Sequence, residues 1–232
     1  MANSLLQQYA KLTEFLGFAL GPDYEVALHD LTDKNRSIIA IANGHVSGRA
    51  VGAPLTNVAL QSLMDKSYET QDYHLHYCGV SATGKTLRSS TMFIKQNGRL
   101  IGLLCISFDD SRYQDAIETI MRLCHPDRFV EDNCSPARPD MSAEAVRTAP
   151  ATTERYHNSI DAVAGDAVAR ELARLGVTAD RLTPDERVQI IASLEASGIF
   201  LLKGAVKDVA SALRCSQASV YRYLSQIKKD AD

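Results

Sequence analysis

Apolar positions along this chain follow two periods in succession. Leu5, Leu6, Tyr9, Leu12 and Leu16 recur at helical spacing and predict a helix over about residues 3–17, punctuated by Gly17 and Gly21-Pro22. Tyr24–Asp30 and Ser37–Ala42 are β-rich runs, and Pro54–Lys66 reads as a helix. Leu87–Lys95 and Leu100–Phe108 predict strands joined through Asn97-Gly98, the strongest short-range hairpin signal. Tyr113–Cys124 predicts a closing helix. Beyond it the pattern is helical only. Ile160, Val163, Ala167, Leu172 and Leu175 form a stripe over 156–176, and Val188, Ile191 and Leu194 form another. Strands and helices first, then helices alone, predict an α+β chain: an antiparallel sheet with flanking helices, followed by an all-α domain.

The division between the two is compositional. Pro136, Pro139 and Pro150 stand among Ser, Thr, Asp and Ala, which is linker composition. The expected domains are therefore 1–126 and 152–232, with a flexible linker over 127–151.

Residues 183–228 carry the clearest functional signal. Thr183-Pro184-Asp185-Glu186 places Thr at the N-cap, Pro at N1 and Glu at N3, a capping-box start. Val206, Val209, Ala210 and Leu213 give the next segment one apolar face. Arg214-Cys215-Ser216 is a tight turn, with Ser216 suited to cap the helix that follows. Val220 and Leu224 point that helix inward, leaving Gln217, Ser219, Tyr221 and Arg222 on its other faces. Two short helices and a tight turn, the second polar and basic outside, predict a helix-turn-helix that enters a major groove. Between Lys203 and Lys229 the basic residues are Lys203, Lys207, Arg214, Arg222, Lys228 and Lys229, against the single acid Asp208. The chain as a whole is slightly acidic, so this local excess reads as a phosphate footprint. Lys203, Lys207, Lys228 and Lys229 are the expected phosphate contacts. Gln217, Ser219, Tyr221 and Arg222 are the expected groups near base edges, and Ser216 at the helix start is counted with them among the DNA-binding residues. Turns of this kind often carry Gly where Arg214 stands; at positive φ Arg214 would cost roughly 1 kcal/mol or more.

Composition narrows the remaining classes. No run of 18 or more apolar residues occurs, so no membrane span is expected, and the N-terminus shows no secretion signal. Five scattered cysteines without a Cys-x-x-Cys pair fit reduced thiols and a cytoplasmic setting. Gly79-Val80-Ser81-Ala82-Thr83-Gly84-Lys85-Thr86 fits the P-loop pattern, and Leu103–Asp109 resembles the strand and acid that accompany it. The residues after Thr86 are β-formers running into the hairpin, where a P-loop needs a helix. The expectation is a strand-connecting turn. His74, His76 and Cys78 alternate on a possible strand without a fourth ligand, so no metal is expected. No catalytic constellation stands out, and neither enzyme activity nor a cofactor is expected. Polar residues set among apolar strands, namely Asn43, Ser47 and Arg49, then Arg88, Ser89, Ser90 and Thr91, are candidates to hold a small polar ligand. An ordinary turn and edge strand would also account for them.

Several stretches in order carry a resemblance. They are Glu25–Leu31, Asn43–Arg49, Ile101–Ile106, Gly198–Val206 and Val220–Leu224. On these the chain resembles the YheO-like transcriptional regulators, over nearly its whole length outside the linker. The resemblance implies a PAS-like sensing domain followed by a DNA-binding helix-turn-helix. The family includes a repressor of D-arginine utilisation, which implies repression of genes through a double-stranded operator under control of a small-molecule effector such as an amino acid. Helix-turn-helix readers act mostly as dimers, so a homo-oligomer is expected, with the 156–176 stripe either pairing two chains or packing inside one. Two other readings stay open at this point: a PAS-like module whose helices bind protein, and a P-loop nucleotide-binding protein.

Overall fold

A computed structural model describes residues 4–81, 83–125, 129 and 153–231. The expected linker, 127–151, lies outside the described residues except for Phe129. Helix α1 spans Ser4–Leu20 and runs through Gly17, which does not end it. A Cβ on Gly17 would lie 2.2 Å from the Cβ of Ala42, so this glycine serves close packing of helix on strand. The break falls instead at Gly21, at φ +93°.

The sheet is built from β1 (Tyr24–Asp30), β2 (Ile38–Ala42), β3 (Tyr73–Val80), β4 (Thr86–Gln96), β5 (Arg99–Asp109) and the two-residue β6 (Glu154–Arg155). Its order is β2-β1-β5-β4-β3-β6. All neighbours are antiparallel except β6, which lies parallel to β3. Nothing in the sequence pattern announces β6. Helix α2 is Asn57–Met64, capped by Thr56, and α3 is Ser111–Cys124.

Register sorts the side chains into two faces. Val26, Leu28, Ile94 and Leu104 share one face with Leu6 of α1 and form a small core there. On the opposite, concave face, Glu25 pairs with Ser107, Ser107 with Ser89 and Ser89 with Tyr77. A polar row therefore crosses four strands.

The C-terminal helices are α4 (Ile160–Leu175), α5 (Pro184–Ala196), α6 (Ala205–Ala212) and α7 (Gln217–Ala231). The α4 stripe is spent inside the chain: Val163, Ala164, Ala167 and Val168 are buried in the main core. That core also takes Phe93, Leu103 and Cys105 from the concave sheet face and Leu55, Ala59 and Leu60 from around α2. The sheet domain and the helical domain thus share one hydrophobic core.

Candidate functional site

The C-terminal helices assemble as their sequence dictates. Thr183 and Glu186 form the reciprocal capping box with Pro184 at the first turn of α5. Helix α6 ends in a Schellman motif, with the Cys215 N–H donating to the Ala210 carbonyl at 2.9 Å and the Arg214 N–H to Ser211 at 3.1 Å. Arg214 occupies the left-handed position at φ 51°. Its guanidinium reaches both carboxylate oxygens of Asp180 at 2.7 Å, on the surface. Ser216 caps α7, accepting the Ser219 N–H at 3.1 Å.

Val220 and Tyr223 are buried, and Leu224 and Ile227 pack against the same core, so one face of α7 is fixed. Gln217, Tyr221 and Arg222 lie outward on the other side. Tyr221 is 57% exposed, and the Arg222 guanidinium lies 5.2 Å from the Tyr223 ring centroid. Ser219 is half-buried and its hydroxyl meets that of Ser216 at 2.9 Å, so both are engaged in the cap. Ala218 is exposed beside Gln217, a position the polar pattern did not single out. Lys203, Lys207 and Lys229 are exposed, while Lys228 lies 4.0 Å from Glu195. The outer face of α7 thus presents an amide, a phenol and a guanidinium, with lysines at its margins. These are the donor types that read base edges and hold phosphates.

The sheet domain grips the segment leading into α6. The Asn35 side chain accepts the Lys203 N–H at 2.9 Å and donates to the Lys203 carbonyl at 2.8 Å. Nearby, a Cβ on Gly198 would lie 2.8 Å from Met64 Cγ, so α2 sits directly on the turn after α5.

The candidate ligand residues divide between the two faces. Ser47, Arg49, Ser89 and Thr91 are buried on the concave side. Arg88 is exposed on the other face, over the Phe108 ring at 5.2 Å, and the Ser90 hydroxyl there accepts the His76 N–H. The Asn43 amide donates to the carbonyls of Gly17, Gly21 and Tyr24, which ties the end of α1 to β1.

The concave residues surround side chains that the sequence reading passed over. Glu25 accepts the Ser47 hydroxyl at 2.6 Å and its N–H at 3.1 Å. Burial pushes the Glu25 carboxyl up to about 7, with the Ser47 hydrogen bonds and Arg49 opposing. Burial likewise holds His29 well below the usual imidazole range, so it is neutral; its Nδ1 meets the Ser37 hydroxyl at 2.9 Å. From β6, Glu154 accepts the Thr56 hydroxyl at 2.7 Å and the Tyr156 phenol at 2.6 Å. The Tyr156 oxygen also meets Ser89 at 2.6 Å and Ser107 at 2.8 Å. Gly79 makes room for it, since a Cβ there would lie 2.8 Å from the ring. The Arg49 guanidinium stands over the same ring at 5.7 Å. Glu25, a carboxylate inside a strand buried along most of its length, was the available signal in the sequence.

The P-loop-like octapeptide is a turn. Lys85 is followed by strand β4, antiparallel to both neighbours, so no helix N-terminus faces a phosphate site. The Ser81 hydroxyl accepts the Lys85 N–H at 2.9 Å and Lys85 Nζ pairs with Asp109 at 2.6 Å. His76 sits at φ 56° where the pairing of β3 with β4 shifts, which breaks the alternation of His74, His76 and Cys78. Among the described residues no helix is long and apolar enough to cross a membrane.

Comparison with known proteins agrees with this arrangement. No solved structure matches the chain. It is similar to the protein designated YheO of Escherichia coli K12, at 28% identity over 97% of this chain and 85% of that one. A Haemophilus influenzae protein is 28% identical over 99% of this chain and 94% of its own length. The transcriptional regulator DauR of Pseudomonas aeruginosa is 24% identical over 98% of this chain and 96% of that one. The model of an HTH domain matches residues 164–225, and that of the YheO-like PAS domain matches residues 1–125. With more than half its length matched by the latter, the chain belongs to the family of proteins built on a YheO-like PAS domain.

Proposed function

We propose that this protein is a sequence-specific DNA-binding transcriptional repressor, non-enzymatic and cytoplasmic, controlled by a small metabolite in its PAS domain. One observation carries the DNA-binding reading: Gln217, Tyr221 and Arg222 stand outward on the second helix of a capped helix-turn-helix flanked by lysines. The relative named as a transcriptional regulator supports it. Lys203, Lys207 and Lys228 hold phosphates, and Gln217, Tyr221 and Arg222 approach bases, with Ser216 and Ser219 fixing the helix end. The effector is an amino acid, D-arginine among the candidates. It acts by binding the operator-competent and operator-incompetent states unequally.

Paired half-sites call for two chains. Since the α4 stripe is buried, pairing needs another apolar face; we assign it to α3, where Tyr113, Ile117, Ile120 and Leu123 are all more than half exposed, with Phe15 and Phe18 of α1 also exposed.

The test is titration of the protein against its own upstream DNA and a scrambled duplex across salt. Preferential binding to the upstream DNA with a steep salt slope is expected. Arg222→Ala should lower affinity and relax sequence preference, by about 1–3 kcal/mol for a bidentate contact. An operator bound equally well by this variant would refute the assignment of the reading face. Absence of duplex binding even at low salt would leave the helices as a protein-binding surface.

A further inference from the structure

We infer that the polar chamber on the concave sheet face binds a zwitterionic metabolite of amino-acid type, and that Tyr156 fills the chamber in its absence. The carboxylate of the ligand would meet Arg49, and its ammonium group would lie among Glu25 and Glu154. This deepens the proposed function by naming the site of its effector and the groups that recognise it, and its regulatory meaning rests on that reading.

The chamber is costly as a purely structural device. Arg49 is 5% exposed, Glu25 2% and Glu154 3%. Buried charges are normally paired, because solvation lost on burial is otherwise not replaced. Here they are not paired with each other. Arg49 donates to the Pro54 carbonyl, but its Nε has no partner. Among the described residues no carboxylate lies within ion-pair distance of Arg49. Glu25 and Glu154 take only neutral hydroxyl and amide donors. One guanidinium with an unused donor, Glu154 with only neutral partners, and Glu25, whose carboxyl burial raises to about 7 while Arg49 acts on it from beyond ion-pair distance, are complementary to a molecule that carries both charges. A simple amine would leave Arg49 unsatisfied, and a simple acid would leave both carboxylates so.

The occupant of the chamber sits on a short segment at the sheet edge. Tyr156 follows the two-residue strand β6, which pairs with Gly79 and Val80 and is held further by Asn57, which donates to the Thr153 carbonyl and accepts the Arg155 N–H. Its phenol uses Ser89, Ser107 and Glu154, the polar groups a bound ligand would need. Helix α4 begins at Ile160, just beyond it, and shares its core with α6 and α7. A ligand that takes the place of Tyr156 therefore releases the segment leading into the reading helices.

The full-length protein would be titrated calorimetrically with both enantiomers of alanine, glutamate, arginine and tyrosine. The corresponding amines and 2-oxo acids would be titrated in parallel. At least one amino acid should bind while its amine and its oxo acid do not. Tyr156→Ala should tighten that binding tenfold or more, because the internal competitor is gone. Arg49→Gln should abolish it. Loss in Arg49→Gln alone would also follow from misfolding, so the gain in Tyr156→Ala is the independent measurement. A folded Tyr156→Ala protein that binds none of the panel would overturn the inference, as would equal binding of amines or oxo acids. Duplex titration on the same samples separates the two readings. Intact operator binding without amino-acid binding sinks the chamber alone, and the converse sinks DNA recognition alone.

Discussion

Glu25→Gln should remove a pH-dependent load on the fold. Burial raises the Glu25 carboxyl from 4.5 to about 7 in the folded protein. Each pH unit of such a shift corresponds to about 1.4 kcal/mol, so ionising this group in place costs on the order of 3 kcal/mol. The sign follows from proton counting. Between the two values the folded state holds a proton that the unfolded state has released, so stability falls as pH rises. The contribution is fully present below about 4.5 and lost by about 7. Glutamine keeps an oxygen for the Ser47 donors and never ionises. His29 tilts the wild-type curve the other way below its ordinary value, because burial keeps it neutral while the unfolded chain takes up a proton. Arg49 and Glu154 also act on Glu25, and all three are common to both proteins. The difference between variant and wild type therefore isolates residue 25. Urea melts at steps from about pH 5 to about pH 8 should show the variant gaining, relative to wild type, most of this difference, about 2–3 kcal/mol. A difference that stays constant with pH would refute the placement of an ionisable Glu25 in a desolvated site.

Three further outcomes are expected. Arg214→Gly should stabilise the protein by roughly 0.5–1 kcal/mol: the left-handed strain of about 1–2 kcal/mol is relieved, and the freer unfolded chain takes back part of it. A lower melting temperature would mean that the surface contact with Asp180 outweighs the strain. Asn35→Ala removes two hydrogen bonds to the Lys203 backbone and should cost about 1–2 kcal/mol; faster amide exchange at Lys203 than in wild type checks that the clasp is what was lost. Ile120→Asp should leave the folded monomer unchanged, since that side chain is 59% exposed, while shifting sedimentation from dimer to monomer. Unaltered dimers would remove α3 from the pairing surface.

Features encoded by neighbouring residues were readable in advance. The Asn97-Gly98 hairpin, the capping box at Thr183 and the Ser216 cap all depend on a few adjacent positions. So does the rejection of a P-loop, because the β-forming run after Thr86 is local. What was hidden depends on distant partners. Glu154–Tyr156 carries no strand period, and its fate is set by an open edge on β3 and by serines on β4 and β5. The split of Arg88 and Ser90 from Ser89 and Thr91 follows from strand alternation, but which pair faces inward is decided by what covers the sheet. Gly17 looked like punctuation because its contact, Ala42, lies in another element. The α4 stripe marked an apolar face without saying what it would meet.

The common core of sheet and helices bears on how such a protein can change over generations. Regulators are often recombined by joining a sensor from one chain to a reader from another. Here Phe93, Leu103 and Leu60 on one side interlock with Val163, Ile190 and Val209 on the other. A transplanted reader would arrive with an unmatched inner surface, leaving voids or clashes where these side chains meet. On the proposed function, new operator preferences would be acquired most readily by point changes on the outer face of α7, and new effectors by changes around Arg49, with the seam between the halves inherited intact.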